Sequence, residues 1–209
     1  MYSQPAKPST SGDSHLNDVA LSSEREMNFE CILKKLNLKE LFIMLRIAVT
    51  GHRPNKLWGY NIYTTEYKSL GRAIRNAILE NSVDSQEIEL ISGMALGVDT
   101  IFALIALKLK SKDSRFKLHC AIPCKNHSSN WFGESVEQYN RIIDSADSVQ
   151  LVSNTDYTPS CMQLRNQYMV DRCDILIAVW DKTPGGTANC VRYAQEIGKP
   201  IVFINPREI

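Results

Sequence analysis

The chain has 209 residues, of which 44% are hydrophobic and 22% are charged, as expected for one globular domain with a short extension. Lysine and arginine number 24 against 23 acidic residues, a net charge of +1. No overall positive field therefore attracts nucleic acid, which we do not expect as a partner. No apolar run approaches the ~20 residues of a membrane helix. We expect a cytoplasmic protein without a membrane partner.

The six cysteines do not follow the paired C-x-x-C spacing of a zinc site. They are Cys31, Cys120, Cys124, Cys161, Cys173 and Cys190. Cys120 and Cys124 form the one close pair, but they are four residues apart and no histidine stands in register with them. We therefore expect reduced, partly buried thiols, no metal and no cofactor.

The first 43 residues differ from the rest of the chain. Residues 1–26 are rich in Ser, Pro, Gly and acidic residues, a composition that predicts disorder. In residues 27–43 the apolar residues recur at helical spacing, which predicts a short amphipathic helix. Met44 stands directly before the first strand-like run and is an alternative start of translation. We divide the chain into an N-terminal extension, 1–43, and a domain, 44–209.

From Met44 onward, six apolar runs typical of strands alternate with five runs typical of helices. The predicted strands are 45–50, 88–92, 116–122, 148–152, 174–180 and 200–204, and the predicted helices are 65–80, 95–110, 134–146, 160–172 and 187–197. Because parallel neighbours need crossover connections, this alternation predicts an α/β fold: a doubly wound, mostly parallel, Rossmann-like sheet in three α/β/α layers. Ligands of such sheets bind beyond the carboxyl ends of the strands.

The first strand continues into T-G-H-R-P at 50–54. Gly51 permits a tight turn, and the planar guanidinium of Arg53 suits phosphate. The sequence assigns no partner to His52, so we do not infer a catalytic histidine that acts alone. Trp58 and Tyr60, further along the same loop, are expected to cover the pocket.

The second strand continues into S-G-M-A-L-G-V-D at 92–99. Ser92, Gly93 and Gly97 precede a helix, where unpaired amides favour an anion. Glycine is equally common where a helix packs closely on a strand. Asp99 is either a partner of the helix dipole or a ligand of a ribose hydroxyl.

The fifth strand is followed by the strongest phosphate signal in the chain, P-G-G-T at 184–187. Gly185, Gly186 and Thr187 combine bare amides, a hydroxyl and the positive end of a helix. The motif is neither a Walker A sequence nor G-x-G-x-x-G, so neither a P-loop ATPase nor a dinucleotide dehydrogenase is indicated. Arg165, on the preceding predicted helix, is either a ligand contact or a helix-surface arginine.

Trp131, after the third strand, is either a core residue or a platform for base stacking. No catalytic residue is assigned. The candidate ligand-binding residues are Thr50, Gly51, His52, Arg53, Ser92, Gly93, Gly97, Asp99, Arg165, Gly185, Gly186, Thr187 and Asn189.

The ordered motifs resemble the YpsA-like branch of the SLOG superfamily, the Rossmann-like group that includes Lonely Guy enzymes, DprA and YpsA-like proteins of bacteria and phages. They are T-G-H-R-P at 50–54, S-G-x-A-x-G-x-D at 92–99, R-N-x-x-M-V-D at 165–171 and G-G-T-A at 185–188. The resemblance covers nearly all of residues 44–209. It implies a pocket for a nucleotide or nucleotide-derived ligand, and it is the resemblance that supplies this ligand class.

Lonely Guy enzymes, by this resemblance, cleave an N-glycosidic bond with an arginine and the glutamate of P-G-G-x-G-T-x-x-E. Arg165 matches the arginine, but Val191 fills the glutamate position and cannot transfer a proton. Ligand binding with a sensing, sequestration or regulatory role is therefore favoured. Two alternatives stay open: a nucleotide N-glycoside hydrolase that uses Asp99 or Glu196, and a DprA-like grip on single-stranded DNA. Homo-oligomer formation stays open as well.

Overall fold

The computed structural model describes residues 44–209. The disorder and the amphipathic helix predicted for residues 1–43 lie outside the described residues, so the division of the chain at Met44 stays a prediction.

Six strands and five helices alternate along the described part of the chain. The strands are β1 (Met44–Gly51), β2 (Glu87–Ser92), β3 (Phe116–Ile122), β4 (Ser148–Leu151), β5 (Ile175–Val179) and β6 (Ile201–Ile204). The helices are α1 (Thr65–Asn81), α2 (Val98–Lys110), α3 (Glu134–Ser145), α4 (Pro159–Arg172) and α5 (Gly186–Glu196), and Pro54–Lys56 forms a 3-10 turn. Helix α2 starts later than predicted, because Met94 (φ 56°) and Gly97 (φ 97°) have left-handed backbone conformations that interrupt a helix.

All six strands are parallel and lie in the order β4-β3-β2-β1-β5-β6. The predicted doubly wound sheet is therefore confirmed. The chain first adds strands on one side of β1 and then returns to the other side, so the order reverses between β1 and β5. Gly51 pairs in register with Val179. The loops that follow these two strands consequently begin side by side.

Alternate residues of β1 point into two separate cores, as the pleat of a strand requires. Ile47 and Val49 belong to the core shared with helices α1, α2 and α3, whereas Ala48 packs in the core that contains residues of α4 and α5. Helices thus cover both faces of the sheet, which confirms the three-layer prediction. None of the helices in residues 44–209 is long and apolar enough to cross a membrane.

The five cysteines in the described residues are buried and free. Burial raises the pKa of Cys120 to about 12 and that of Cys190 to about 11. The thiols of Cys120 and Cys190 therefore stay protonated at neutral pH and are poor nucleophiles and metal ligands.

The packing of β1 on α2 depends on Gly51. A Cβ atom at this position would lie 2.5 Å from the side chain of Val98, closer than packed carbon atoms approach. Gly71, inside α1, is different: its Cβ would meet Ile105 Cδ1 at an ordinary 3.9 Å. The end of β1 and the start of α2 therefore lie closer together than any side chain at position 51 would allow.

An aromatic cluster holds the loop between β3 and α3. The ring centroid of His127 lies 5.0 Å from that of Trp131, which in turn lies 5.4 Å from that of Tyr139. His127 Nε2 donates a hydrogen bond of 3.0 Å to the Met94 carbonyl. Burial lowers the pKa of His127 to about 4, with smaller contributions from the charges of Arg165 and Arg53. The histidine is therefore neutral at neutral pH.

Replacing Gly51 by alanine should lower the free energy of unfolding by about 1–3 kcal/mol, because the new methyl group overlaps Val98. The same change at Gly71 should raise it by about 0.5–1 kcal/mol, because a glycine inside a helix is replaced without a clash. Urea unfolding followed by circular dichroism measures both values. Equal effects of the two substitutions would contradict the close β1–α2 contact.

The stability of the protein should fall as the pH drops from 6.5 toward 4, partly through His127. Its folded-state pKa of about 4 lies below the ordinary 6.5, so the unfolded state takes up the proton first. The histidine's contribution is thus complete above pH 6.5 and is lost toward pH 4. His127→Gln, which keeps a donor for Met94, should flatten the profile of unfolding free energy against pH. An unchanged slope would assign the effect to other groups, such as His119.

Candidate functional site

A cleft of about 250 Å³ opens where the strand order reverses between β1 and β5. The structure brings eight of the sequence-derived candidates to its wall: Gly51, His52, Arg53, Asp99, Arg165, Gly185, Gly186 and Thr187. This is the position at which open α/β sheets bind ligands, because several strand exits converge there. Lys56 and Asn166 also line the cleft, although neither is among the candidates predicted from the sequence.

Five candidates do not line the cleft: Thr50, Ser92, Gly93, Gly97 and Asn189. Ser92 shapes the loop before α2, because its hydroxyl donates to the Asp99 carbonyl over 2.8 Å and accepts from the Met94 amide over 3.2 Å. Thr50 is buried. Asn189 accepts a bond of 3.3 Å from Arg192. The positions of these five residues do not support a role in contacting a ligand in the cleft.

The two glycines of the second motif allow close approach instead. A Cβ atom on Gly93 would lie 1.5 Å from Arg165 Nη1. At Gly97, which has a φ of 97°, it would lie 2.6 Å from the His52 carbonyl oxygen. A side chain at either position would displace a residue that lines the cleft.

Asp99 and Arg165 form a buried ion pair in the cleft wall, and each residue is only 5% exposed. Arg165 Nη1 donates to Asp99 Oδ2 over 2.8 Å, and the Ala95 amide donates to the same oxygen over 3.3 Å. Burial raises the pKa of the Asp99 carboxyl, and the charge of Arg165 opposes this shift. Arg165 Nε is buried with no hydrogen-bond partner in the described residues.

His52 has a partner that the sequence did not reveal. Its Nε2 lies 2.7 Å from Asp181 Oδ1, and the two side chains are 2% and 5% exposed. Asp181 also accepts bonds from the Thr183 hydroxyl (2.6 Å) and from Arg207 Nη2 (2.6 Å). These bonds, with that of Thr183 the largest cause, lower the pKa of Asp181. The carboxylate is ionised and can only accept, so Nε2 of His52 carries a proton.

The start of helix α5 offers free backbone amides to the cleft. Thr64 and Thr158 cap the starts of α1 and α4 with their hydroxyls, whereas α2, α3 and α5 begin after glycines that supply no side-chain cap; of these three glycines, Gly185 before α5 lines the cleft. Lys56 Nζ donates to the Pro184 carbonyl over 2.7 Å, which fixes an ammonium group beside this helix start. The amides, the helix dipole and the lysine all favour a bound anion.

The charge balance of the cleft is positive. Arg53, Lys56 and Arg165 line it together with a single carboxylate, Asp99. Among residues 44–209, no group of three or more His, Cys, Asp or Glu side chains is placed to hold a metal ion. The residues that line the cleft therefore favour an anionic ligand that also carries polar groups.

Two expectations about neighbouring residues are wrong. Glu196 ends α5, about 15 Å along the helix from Gly186 at its start, so it cannot replace the missing glutamate. Trp58 and Tyr60 do not cover the cleft: Trp58 packs edge-on against Tyr67 at 5.2 Å, and Tyr60 lines a separate cavity.

Trp131 lies beside the cleft rather than in it. It lines a neighbouring cavity together with Tyr157, and Arg53 and Met162 line both spaces. The cavity therefore continues the cleft on the side of Arg53 and presents aromatic side chains there.

The chain matches one family model and several proteins of known sequence. A family model named YpsA and described as the YspA SLOG family matches residues 47–208. The chain is 30% identical over 132 residues to the uncharacterized SPbeta prophage-derived protein YoqJ of Bacillus subtilis (strain 168). This alignment covers 57% of our chain and 77% of YoqJ. Our chain is 28% identical over 155 residues to a UPF0398 protein of Bacillus cereus (strain B4264), and this alignment covers 73% of our chain and 84% of that protein.

A solved structure shares the fold. DNA processing protein A from Helicobacter pylori, described for its single-stranded DNA binding mode, superimposes with a TM-score of 0.53 at 20% identity. The match covers 77% of this chain and 65% of that one, so our chain spans just under two thirds of its length. The family match confirms the resemblance seen in the motifs: the chain belongs to the YspA SLOG family.

Proposed function

We propose that the cleft binds a nucleotide or a nucleotide-derived ligand by its phosphate, and that the protein senses, sequesters or regulates through this ligand. Arg165 is the observation that carries the proposal. Its guanidinium is buried, held in place by Asp99, and keeps Nε without a partner in the described residues. Arg165 lines the cleft, so an anion bound there gains a charge-assisted bond from a guanidinium that Asp99 already holds in position.

The phosphate group fits the start of α5. The amides of Gly186 and Thr187 have no side-chain cap, and Lys56 stands beside them. A phosphate bound there gains several charge-assisted bonds at once. Arg53 is exposed at the rim and can add a bidentate contact.

The remainder of a nucleotide has matching partners in the wall. Both protein bonds to Asp99 fall on Oδ2, so Oδ1 is left for a ribose hydroxyl. The adjoining cavity with Trp131 and Tyr157 offers aromatic faces on which a base can stack. A nucleotide bound in this way would extend from the start of α5, past Arg53, to Trp131 and Tyr157.

Hydrolysis of a nucleotide N-glycoside is a second candidate, and the His52–Asp181 pair favours it. A histidine held by a carboxylate at a cleft wall can transfer protons, which Val191 cannot. Asp99 also lies at the wall. The pair equally well explains how His52 is held as a hydrogen-bond donor, so binding alone remains our conclusion.

Binding of single-stranded DNA in the cleft is a third candidate, and the description of the Helicobacter pylori protein suggests it. The three cations of the cleft wall suit a DNA phosphate as well as a mononucleotide phosphate. A short oligonucleotide that displaces a bound mononucleotide would support this candidate.

Arg53→Gln should weaken binding of AMP by about tenfold, because one charge-assisted phosphate contact is lost. Isothermal titration calorimetry measures the change. Arg141→Gln is the matched control, since Arg141 is an exposed arginine on α3 outside the cleft. It should leave AMP affinity unchanged. Equal losses in the two variants would indicate a general charge effect and would remove Arg53 from the site.

Incubation with AMP and other nucleoside monophosphates should release no free base, as chromatography can establish. Release that is lost in Asp99→Asn or His52→Gln, with circular dichroism unchanged, would overturn the binding-only conclusion. Because Asp99→Asn leaves Arg165 without its counter-charge, His52→Gln is the safer variant of the two.

A further inference from the structure

A further cavity, of about 310 Å³, lies between helices α1 and α2. Five cations line it: Lys68, Arg72 and Arg75 from α1, and Lys108 and Lys112 from the end of α2 and the turn after it. No carboxylate is among its lining residues. We call it the α1–α2 groove. It shares no residue with the cleft.

The five cations of the groove are uncommitted within residues 44–209. None of them forms a salt bridge there, and the single side-chain bond is from Arg72 to the Ser69 hydroxyl. Nearby cations are paired: Lys110 with Asp147, Arg115 with Asp113, and Lys117 with Glu87. The positive charges of the groove are therefore unpaired in this part of the chain, whereas the positive charges just outside it are neutralised by carboxylates.

The cations of α1 form a row. Lys68, Arg72 and Arg75 are spaced four and three residues apart, so they share one face of the helix and span about 10.5 Å. Gly71 and Ile105 lie among the cations in the lining of the groove. Five like charges in one groove repel each other, and a polyanion would relieve that repulsion.

The chemistry of the groove distinguishes among polyanions. None of the large exposed hydrophobic side chains of the described residues lines it. A membrane-surface site needs such side chains for insertion, and a protein interface needs them as anchors. A phosphodiester backbone needs only cations. The groove has a volume of about 310 Å³, which can seat a segment of one phosphodiester strand but is far too small to admit a duplex.

We propose that the α1–α2 groove binds the phosphate backbone of a single-stranded nucleic acid without regard to sequence. The absence of aromatic residues from its lining leaves the bases outside the groove. The net charge of +1 does not oppose this, because the charge is local: five cations meet no lining carboxylate. The inference is independent of ligand binding in the cleft.

Fluorescence anisotropy of a labelled oligothymidylate, titrated with the protein at several salt concentrations, tests the proposal. Binding should weaken steeply with salt. Arg72→Gln and Arg75→Gln should each weaken it at low salt and reduce the slope of log K against log salt by about 0.7, the value for one lost contact to a single strand. Arg141→Gln, which removes one exposed arginine elsewhere, should leave the slope unchanged.

Arg53→Gln separates the groove from the cleft. It should leave oligothymidylate binding unchanged, even if it weakens AMP binding. Loss of oligothymidylate binding in Arg53→Gln but not in Arg72→Gln would overturn the proposal, as would equal losses in Arg72→Gln and Arg141→Gln. Stronger binding to a duplex, or binding to anionic vesicles without binding to the oligothymidylate, would also overturn it. Thermal unfolding of each variant confirms that these surface substitutions leave the fold intact.

Discussion

A buried ion pair between Asp99 and Arg165 organises the cleft. The pair joins the start of α2 to α4, next to the loops that follow β1 and β5 and begin side by side. Two buried charges are stable only when each is paired and hydrogen-bonded. The Ala95 amide completes Asp99, whereas Arg165 keeps Nε without a partner in residues 44–209. We propose that the ligand contacts Arg165 where its side chain lines the cleft.

Glycines make that pair geometrically feasible. The guanidinium of Arg165 occupies the space that a Cβ on Gly93 would fill, and Gly97 lets the His52 carbonyl approach. Gly51 brings β1 against α2 in the same way. These residues were selected from the sequence as ligand contacts, yet Gly93 and Gly97 act by permitting contact between protein groups. The proposed phosphate site therefore depends on these close approaches of the backbone.

The sequence predicts the fold well because hydrophobic periodicity and strand–helix alternation are local signals. It also predicts most of the cleft wall, because strand exits must converge at one edge of a parallel sheet. It missed the pairing of His52 with Asp181, which lie 129 residues apart, since no local pattern shows that β1 and β5 are neighbours. It missed Lys56 for the same reason. The near-zero net charge of the chain likewise gave no sign that cations cluster in the cleft and in the α1–α2 groove.

Phosphorus NMR of AMP, recorded with wild-type protein and with Gly186→Asp, addresses the phosphate site itself. A Cβ at Gly186 meets nothing within 4 Å, so the new carboxylate is tolerated by packing but places negative charge at the start of α5. We expect the phosphate resonance to shift or broaden with the wild-type protein and not with the variant. A resonance that wild type leaves unchanged, or that both proteins change equally, would contradict phosphate binding at this helix start.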